Sequence, residues 1–587
     1  MEYKNETKNC QNCKNEFVIE PDDFGFYEKI NVPPPTFCPE CRMKRRMIWR
    51  NIRFLTKGKD AKGNEIFMCI HPKAKIPVYE FSYWNSDNWG ALSFGREYIF
   101  TKNFFDQFRD LFYSVPFPAK TIQRSINSDY SNNCDDMKNT YLCFNATFLE
   151  DCAYCIGASK LKNCFDMSTC YEDELCYESV RVDKSYHTIG SYMCDSCVDV
   201  YFSKDCVGCN NCFGCVNLRN SSYKIFNVQY TREEYIKKLE TYNLHTWGGF
   251  SKAKKEAENF WRKFPIKYML GFRNHMVSGE DIKDSRNAIN CYGVKGAENI
   301  KYVQDASFGG ASNSYDFTSW GLNVSQLYEC LVCGENLYDL KFCYNCYPDC
   351  RELEYCIQMR RSKNCFGCVG LRDKQYCVLN KQFSKEEYCS LVEKIKKQME
   401  EIPFIDKKGN IYKYGEFFPS DLSPFAYNET YLNDHFPSNK EEVENIGFNW
   451  RDAEKREYAT TLDFSELVES IKEADESITK EVIKCSACNK AYRILNSEFS
   501  FLKNLNLPLP RKCNNCRFSD RQKFIVPPKF TEAQCMCGGE QSMNFKYKNT
   551  RIHDFHRGGE CQNFFMTAYD SQKDIIYCEK CYQQEVY

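Results

Sequence analysis

The sequence predicts a mainly β protein that contains two narrow β-solenoids, closed by helices and flanked by zinc fingers. Two observations lead to this fold class. Small or apolar residues, very often cysteine, recur at every third position in residues 131–218 and again, with one-residue slips, in residues 291–371. Near both ends of the chain, two C-x2-C pairs are separated by one and the same interval, from Cys13 to Cys38 and from Cys488 to Cys513. Neither a helix, with about 3.6 residues per turn, nor a strand, with a period of about 2, produces a triplet pattern.

Composition predicts a multidomain protein without a membrane segment. The chain has 587 residues, of which 43% are hydrophobic and 27% are charged, and this length predicts several domains. No apolar signal-peptide segment follows Met1 and no run of about 18 apolar residues occurs, so we expect a cytoplasmic protein that makes no membrane contact. In that compartment, 38 cysteines indicate metal ligands or buried thiols rather than disulfides.

The duplicated C-x2-C pairs predict two zinc-binding modules of one kind. Each pair presents two sulfurs to one ion, and four thiolates suit tetrahedral Zn2+. We expect the first pair to lie on a knuckle, the intervening residues to form a hairpin and the second pair to open a helix, an order that resembles a treble-clef zinc finger. The predicted ligands are Cys10, Cys13, Cys38 and Cys41 in the first finger, and Cys485, Cys488, Cys513 and Cys516 in the second.

A third metal module is predicted near the end of the sequence. Its predicted ligands are Cys535, Cys537, Cys578 and Cys581. Between these pairs lie further residues that can replace or supplement a ligand, and their role stays open: His553, His556 and Cys561. Together the modules predict two to three Zn2+ ions per chain.

The triplet pattern falls into rows of twelve and predicts stacked coils with four three-residue sides, each side pointing one small side chain inward. Stacked coils lie about 4.8 Å apart, which leaves room inside only for small side chains and some leucines. In the first array only Asp173 breaks the rule badly. The cysteines then act as small hydrophobic groups. The alternative is a thiol-lined store for zinc, copper or an iron–sulfur cluster, which does not explain the other residues of the pattern.

The two arrays are related to each other. Residues 211–216 and 364–369 share the sequence NCFGCV at an offset of 153. Each array then leads into a helix that begins with a capping box, from Thr231 to Glu234 and from Ser384 to Glu387. A stacked array requires such a cap over its open end.

These patterns divide the chain into consecutive segments. They are a treble-clef zinc finger with a basic helix (1–58), a degenerate finger with an aromatic and helical connector (59–124), solenoid 1 with its capping helix (125–245), a helical linker (246–280), solenoid 2 with its capping helix (281–402), a Pro/Phe-rich connector with helices (403–480), a second treble-clef zinc finger (481–530) and a C-terminal zinc module (531–587).

Three motifs are similar to those of a known family. They are VPPPTFCPECR at residues 32–42, the two NCFGCV-x-LR blocks and YCEKCY at residues 577–582. On these motifs the chain resembles uncharacterised treble-clef or zinc-ribbon proteins with Cys-rich triplet repeats from candidate-phyla bacteria. Members of that family often carry another four-cysteine site after the first finger. The resemblance implies that this site has lost its metal here, because its positions are occupied by Lys59, Lys62, Glu80 and Tyr83.

The helix after the first finger is strongly basic, which favours nucleic-acid binding. No acidic residue occurs from Arg42 to Lys59, and Trp49 lies within this run, a pattern that suits phosphate contact and base stacking. RNA is favoured over DNA because exposed aromatic side chains read unstacked bases. The alternative is that the helix covers acidic surface of the same protein. The candidate residues are Arg42, Lys44, Arg45, Arg46, Trp49, Arg50 and Arg53, with Arg517 and Arg521 in a weaker second patch.

Two other function classes are a scaffold protein and an enzyme, and the pattern favours only the first. The protein can be a structural scaffold or a self-assembling protein whose solenoid faces bind a protein partner or another copy. An enzyme is not expected, because the sequence contains no Walker loop, G-x-S-x-G, HExxH or dinucleotide-binding motif, and its 7 histidines are scattered. No small-molecule substrate is indicated. The identity of any partner, the oligomeric state and the physiological role stay open.

Overall fold

Two stacks of coils contact each other in the computed structural model. Solenoid 1 begins with the strand at Ile122, close to its predicted start, and solenoid 2 begins at Gly271, inside the segment that the sequence predicts as a helical linker (246–280). Nη1 of Arg181 lies 3.2 Å from Oε1 of Glu280, and Nζ of Lys283 lies 2.8 Å from Oδ2 of Asp183. The structure describes residues 3–306, 309–318, 328–334, 337–346, 349–452 and 458–587. Most of its regular structure is β, with stacked coils, so the predicted fold class is confirmed.

The first part of the chain contains the first finger, a connector and solenoid 1. The finger contains β1 (Glu6–Asn9), β2 (Glu16–Ile19), α1 (Pro21–Lys29) and α2 (Pro39–Met47). The connector contains β3 (Thr56–Lys59), β4 (Glu65–Met68), β5 (Val78–Tyr79), α3 (Phe81–Asn85), α4 (Phe104–Phe112) and β6 (Phe117–Pro118). Solenoid 1 and the following linker contain β7 (Ile122–Gln123), β8 (Asn132–Lys138), β9 (Phe144–Glu150), β10 (Tyr186–Ile189), β11 (Val198–Tyr201), β12 (Asn210–Phe213), β13 (Ser222–Ile225), β14 (Val228–Gln229), α5 (Arg232–Glu240), α6 (Trp247–Trp261) and β15 (Pro265–Lys267).

The second part contains solenoid 2, another connector, the second finger and the C-terminal module. Solenoid 2 contains β16 (Gly271–Phe272), β17 (His275–Lys283), β18 (Arg286–Lys295), β19 (Glu298–Lys301), β20 (Ser312–Tyr315), β21 (Tyr344–Cys346), β22 (Arg351–Glu354), β23 (Ile357–Met359), β24 (Lys363–Phe366), β25 (Gln375–Val378), β26 (Lys381–Gln382) and α7 (Lys385–Glu401). The connector contains β27 (Phe404–Ile405), β28 (Ile411–Tyr412), α8 (Tyr431–His435) and α9 (Lys440–Asn445). The finger and the module contain β29 (Leu462–Asp463), β30 (Ile483–Lys484), β31 (Ala491–Tyr492), α10 (Asn496–Asn504), α11 (Asn514–Gln522), β32 (Thr531–Gln534), β33 (Phe564–Thr567), β34 (Ile575–Tyr577) and α12 (Glu579–Val586).

The coils of solenoid 1 repeat every twelve positions, as predicted. Parallel pairs join equivalent positions of successive coils, from Ile122 with Cys134 to Phe213 with Ile225. Backbone hydrogen bonds run to the coil on either side. The N–H of Tyr141 donates to the carbonyl of Cys152 at 3.1 Å in the next coil, and the N–H of Tyr154 donates back to the carbonyl of Tyr141 at 3.0 Å. The stacking therefore satisfies backbone groups that short three-residue sides cannot satisfy within one coil.

The residue before each inward position adopts a left-handed backbone conformation. In solenoid 1 a positive φ recurs at every third residue, with 54° at Asn133, 53° at Asp136 and 53° at Asn139. Asn and Asp tolerate this conformation because their short polar side chains bond locally, and Gly tolerates it because it has no Cβ. The triplet pattern predicted the inward positions but not this backbone conformation.

Cysteines fill the interior of solenoid 1 as small groups. The side chain of Cys155 is 0% exposed, and its thiol donates to the carbonyl of Ala153 at 3.4 Å and to that of Cys164 at 3.5 Å. Burial raises the pKa of Cys134 and of Cys291, in solenoid 2, to about 12, so these thiols stay protonated at neutral pH. Among the described residues, the clusters of ligand atoms within 4.8 Å of one another include none of these interior thiols.

Inward backbone N–H groups explain why the interior is not purely apolar. The N–H of Ser191 donates to Oγ of Ser179 at 3.1 Å, one coil earlier. In solenoid 2 the N–H of Asn380 donates to Sγ of Cys368 at 3.4 Å, again one coil earlier. A hydroxyl or a thiol accepts such a bond and a methyl group does not. A core of this width therefore favours serine and cysteine.

Solenoid 2 is less regular than solenoid 1. Its first pairs, such as Gly271 with Ile282, are eleven positions apart and the pair of Gly279 with Cys291 is twelve apart. The pairs of Gln304 with Thr318 and of Thr318 with Leu331 enclose longer coils. The one-residue slips before Leu337 and before Cys350 correspond to the pairs of Leu331 with Tyr344 and of Tyr338 with Arg351, which are thirteen positions apart. The pattern also includes Gly321, Val324 and Leu327, which lie outside the described residues.

The predicted capping helices are confirmed, but the predicted finger hairpin is wrong in its position. Oγ1 of Thr231 accepts from the N–H of Glu234 at 3.2 Å at the start of α5, and Oγ of Ser384 accepts from the N–H of Glu387 at 3.2 Å at the start of α7. In the first finger the hairpin of β1 and β2 flanks the first cysteine pair, and the intervening residues contain α1 instead. No helix in the described part of the chain is long and apolar enough to cross a bilayer.

Asp173, the exception to the triplet pattern, does point into the interior of solenoid 1, where it is 2% exposed. Its Oδ1 accepts the N–H of Ser185 at 2.8 Å, while Oδ2 has no hydrogen-bond partner within the described residues. Burial raises the pKa of this carboxyl well above its usual value. A serine here would offer the same acceptor without a charge, as Ser179 does for Ser191.

We expect Asp173→Ser to stabilise the protein at neutral and alkaline pH. Because the folded-state pKa of Asp173 is raised, the neutral carboxyl contributes stability at low pH, and this contribution is lost as the pH rises through the folded-state pKa. The gain in melting temperature over the wild type should therefore grow as the pH rises above the usual pKa of an aspartate, about 4. The exposed Asp129→Ser variant serves as the control and should show no such trend. A melting temperature of Asp173→Ser equal to that of the wild type at high pH would contradict this interpretation.

Candidate metal centres and the basic cleft

Three cysteine clusters share one local design. In each cluster one cysteine directly precedes a helix and another lies in its first turn, where the partial positive charge of the helix N-terminus favours thiolates. In each cluster, the backbone N–H of the cysteine before the helix also donates to the sulfur of a cysteine earlier in the chain. These bonds run from Cys38 to Cys10 at 3.3 Å, from Cys513 to Cys485 at 3.2 Å and from Cys578 to Cys535 at 3.1 Å. The pairs at the helices are Cys38 and Cys41 at α2, Cys513 and Cys516 at α11, and Cys578 and Cys581 at α12.

Both fingers bring their predicted ligands together. The four ligand atoms of each lie within 4.8 Å of one another: Cys10, Cys13, Cys38 and Cys41, and Cys485, Cys488, Cys513 and Cys516. The sulfurs of Cys13 and Cys38 are 3.7 Å apart, as are those of Cys488 and Cys513. A tetrahedron with metal–sulfur bonds of about 2.3 Å has edges of about 3.8 Å, whereas a disulfide bond is about 2.05 Å long. Each set therefore fits a tetrahedral metal ion.

Backbone donors favour the thiolate form in the second finger. Burial raises the pKa of the Cys485 thiol, but backbone N–H groups, above all that of Cys513, more than offset this and lower it to about 7. The thiolate is the form that binds a metal ion.

The C-terminal module contains two ligand groups that share one cysteine. They are Cys535, Cys561, Cys578 and Cys581, and Cys537, His553, His556 and Cys581. The four predicted cysteines all belong to these groups, but the prediction that they form a single set is wrong. One residue separates Cys535 from Cys537, and the two side chains join different groups. Cys561 completes the first group, and sequence spacing left its role open because it lies in a loop outside the C-x2-C pattern.

The arginine side chains of α2 face solenoid 2 rather than solvent. Nη2 of Arg42 lies 2.8 Å from Oδ2 of Asp316, and Nη1 of Arg46 lies 2.9 Å from Oδ1 of the same aspartate. Nε of Arg46 also donates to Oγ1 of Thr318 at 3.0 Å. These three charged side chains are at most 1% exposed. We call Arg42, Arg46 and Asp316 the first arginine clamp.

The second finger repeats this contact on solenoid 1. Nη1 of Arg517 lies 2.8 Å from Oδ2 of Asp166, Nη1 of Arg521 lies 2.6 Å from Oδ1, and Nε of Arg521 donates to Oγ of Ser168 at 3.1 Å. Arg517 follows Cys516 as Arg42 follows Cys41, and in each case the hydroxyl lies two residues after the aspartate. We call Arg517, Arg521 and Asp166 the second arginine clamp. Both aspartates have left-handed φ values, 58° at Asp166 and 57° at Asp316.

The other predicted nucleic-acid residues of α2 and the following loop are also engaged within the protein. Arg45 pairs with Glu329 at 2.5 Å and with Glu416 at 2.9 Å, and Trp49 is 0% exposed. The remaining contacts join Arg50 to Asn145 at 2.7 Å, Arg53 to Asp434 at 3.0 Å and Lys44 to Glu40 at 2.6 Å.

The prediction of an exposed basic surface on these helices is therefore wrong, and the alternative, a helix that covers acidic surface of the same protein, is confirmed. Lys44 is an exception, since 36% of its side chain is exposed. The physical reason is that carboxylates far away in the sequence, on solenoid 2 and in the connector, neutralise the arginines. Sequence spacing does not reveal such partners.

In the connector, the positions at which the resemblance implies a lost metal site form ordinary polar contacts. Nζ of Lys62 lies 3.9 Å from the ring centroid of Tyr83, and Glu80 accepts the N–H of Ser82 at 2.7 Å at the start of α3. Burial raises the pKa of the nearby Cys69 thiol to about 12.

A deep basic cleft lies between solenoid 1, α6, the second finger and the C-terminal module. Its volume is about 1320 Å³. Among the described residues, 11 lysines and arginines line it against 4 carboxylates, although the whole chain has a net charge of −1. Trp247 and Phe524 are half-buried in its wall. The basic residues are Lys204, Lys254, Lys255, Arg262, Lys263, Arg511, Lys512, Arg517, Lys523, Lys546 and Lys573.

Some of these charges are paired within the protein and others face the opening. Lys254 lies 2.9 Å from Glu178, and Lys512 and Lys523 both contact Asp520, at 2.7 Å and 2.6 Å. Lys255 in the middle of α6 and the two residues that follow this helix, Arg262 and Lys263, are exposed. No sequence pattern indicates this cleft, because its lysines are spread over five separate segments.

Comparison with protein-family models and with curated protein sequences found no match to this chain. The resemblance drawn from the sequence motifs stays a prediction.

We expect Asp316→Ala to lower the free energy of unfolding by about 3–5 kcal/mol, because it leaves two buried guanidinium groups without a counter-charge. Asp136→Ala is the matched control, since Asp136 also has a left-handed φ and pairs with an arginine, Arg124, whose side chain is 61% exposed. The control should cost about 1 kcal/mol or less. Guanidinium unfolding curves of the three proteins provide the measurement. Equal losses in the two variants would contradict the role of the first arginine clamp.

The metal site and the first clamp should depend on each other. Cys41→Ser removes a ligand next to Arg42, so we expect it to lose one metal ion per chain and to loosen the clamp. The double variant with Asp316→Ala should then lose less stability than the sum of the single losses, by about 0.5–3 kcal/mol. Metal analysis and unfolding curves of all four proteins test this, and strict additivity would argue against coupling.

Proposed function

We propose that the protein is a non-catalytic zinc-binding protein that binds single-stranded RNA in the basic cleft. The observation that carries the proposal is the excess of lysine and arginine in this cleft, in a chain with almost no net charge. The phosphate backbone of a nucleic acid is the common biological polymer that such a surface attracts. The finger helices position the cleft. Arg517 of α11 lines the cleft, but Asp166 already binds it in the second arginine clamp, so we do not count it as an RNA contact.

Zinc is the metal that suits these centres best. Both fingers offer four sulfurs at tetrahedral spacing, and closed four-thiolate sites of this kind are typical of structural Zn2+. We assign no catalytic role to these ions, because four protein ligands leave no coordination position for water or substrate.

Aromatic side chains favour a single strand over a duplex. Trp247 begins α6 and Phe524 follows α11, so both lie beside the basic residues of the cleft wall. Unpaired bases can stack on such rings, at about 1–3 kcal/mol per base, whereas bases in a duplex are already stacked.

Charge reversal at the opening of the cleft should weaken RNA binding. We expect the triple variant Lys255→Glu, Arg262→Glu, Lys263→Glu to bind a fluorescent single-stranded RNA at least about tenfold more weakly than the wild type. Each lost phosphate contact should also reduce the slope of log K against log salt by about 0.7, so the slope should fall by about 2. Fluorescence anisotropy at several salt concentrations measures both quantities.

The matched control reverses three exposed charges on a different surface, the helix α7. It is the variant Lys385→Glu, Lys394→Glu, Lys397→Glu, which changes the net charge by the same amount and should bind RNA almost as well as the wild type. Equal weakening in both variants would show that only the overall charge matters. A wild type that binds no RNA, and instead elutes as a defined oligomer, would replace the proposal by the scaffold hypothesis.

A further inference from the structure

The C-terminal module holds more ligands than one metal ion can use. Seven side chains form its two ligand groups, each with four ligand atoms within 4.8 Å of one another. A structural Zn2+ ion takes four ligands. One ion would therefore leave three ligands unused beside it.

The atoms of the two groups lie at distances that suit metal coordination. Sγ of Cys561 is 3.9 Å from Sγ of Cys578 in the first group. In the second, Nε2 of His556 lies 3.5 Å from Sγ of Cys537 and 3.6 Å from Sγ of Cys581. With zinc–sulfur bonds of about 2.3 Å and zinc–nitrogen bonds of about 2.0 Å, the edges of a tetrahedron are about 3.8 Å for sulfur pairs and about 3.5 Å for sulfur with nitrogen. Both groups match these values.

The second group is built as a metal site rather than as a set of hydrogen bonds. Cys537 is 0% exposed and His553 1% exposed, so water does not compensate them. Nδ1 of His553 faces Sγ of Cys537 at 3.2 Å, while its Nε2 lies 3.1 Å from Oε2 of Glu585. A carboxylate on the far nitrogen of a ligating histidine fixes the orientation of the ring and strengthens the ligand.

Glu585 is held in place for this role. Its Oε1 accepts from the hydroxyl of Tyr547 at 2.6 Å, and from the N–H and hydroxyl of Thr550 at 2.6 Å and 2.7 Å. Its Oε2 is thereby left to the histidine.

We propose that the C-terminal module is a binuclear zinc centre in which the thiolate of Cys581 bridges the two ions. Cys581 completes both groups, and a thiolate sulfur has lone pairs for two metals. The five thiolates nearly balance the charge of two Zn2+ ions. Side-chain amide donors moderate the remaining negative charge, from Asn549 to Sγ of Cys537 and from Asn563 to Sγ of Cys578, both at 3.3 Å.

The centre fixes the last part of the chain on solenoid 1. Directly before Cys578, β34 pairs with β15 in the linker, and the hydroxyl of Tyr582 in α12 donates to Asp205 in a coil of solenoid 1. The predicted number of two to three ions per chain then becomes four, one in each finger and two here.

Zinc counting on single variants tests the bridge. The wild type should contain four ions per chain, Cys561→Ser three, His556→Asn three and Cys581→Ser two. Native mass spectrometry gives these numbers, and the two ions of the fingers serve as an internal measure that each variant is folded. The exposed Cys389→Ser is the control and should keep all four ions.

A single ion in the module predicts a different pattern, with three ions in the wild type and no loss in one of the group-specific variants. That result would overturn the proposal. A second measurement needs no substitution of the chain. In the wild type loaded with cadmium-113, two cadmium signals should show spin coupling to each other through the shared sulfur, and two uncoupled signals would exclude the bridge.

Discussion

The arrangement of the fingers on the solenoids depends on two buried contacts in which two arginines of one helix share the carboxylate of one aspartate. A further buried carboxylate lies beside each contact, Glu329 on Arg45 in the first and Glu498 on Arg517 in the second. Removing such charges from water costs several kcal/mol per ion, and good geometry with both carboxylate oxygens engaged is needed to offset that cost. In each clamp the two arginines lie four residues apart on one helix, so they reach the two oxygens of the same carboxylate. A metal ion in the neighbouring cysteine cluster would order the start of that helix and so reduce the entropy that the arginines lose when they bind.

The clamps connect parts of the chain that are far apart in sequence. The first finger precedes solenoid 1 in the sequence but packs on solenoid 2. Its Arg42 contacts Asp316 of solenoid 2, 274 residues further along the chain. The second finger follows solenoid 2 but packs on solenoid 1. Its Arg521 contacts Asp166 of solenoid 1, 355 residues earlier in the chain. Each half of the duplicated sequence therefore completes the other. Contacts of such long range form slowly because the chain must first close a large loop.

The sequence predicted what depends on local spacing and missed what depends on distant partners. Inward positions such as Cys155 and the finger ligands such as Cys38 follow from fixed intervals, and the structure places them as expected. The sequence places Arg42 on an exposed surface because no acidic residue occurs from Arg42 to Lys59, whereas its partner Asp316 lies on solenoid 2. Cys561 stayed open for the same reason, since a loop rather than a C-x2-C turn brings it to its group.

Because the finger arginines form buried ion pairs within the protein, their positive charge is not available at the surface for binding. A guanidinium bound to a buried carboxylate is neutralised within the fold, so the most basic stretch of the sequence contributes little to the surface potential. The lysines of the cleft are spread over several segments and are inconspicuous in the sequence, yet the fold gathers them around one opening. The basic cleft is therefore a property of the assembled fingers and solenoids rather than of any single motif. The metal ions would then support the cleft indirectly, by holding the helices whose clamps bring its walls together.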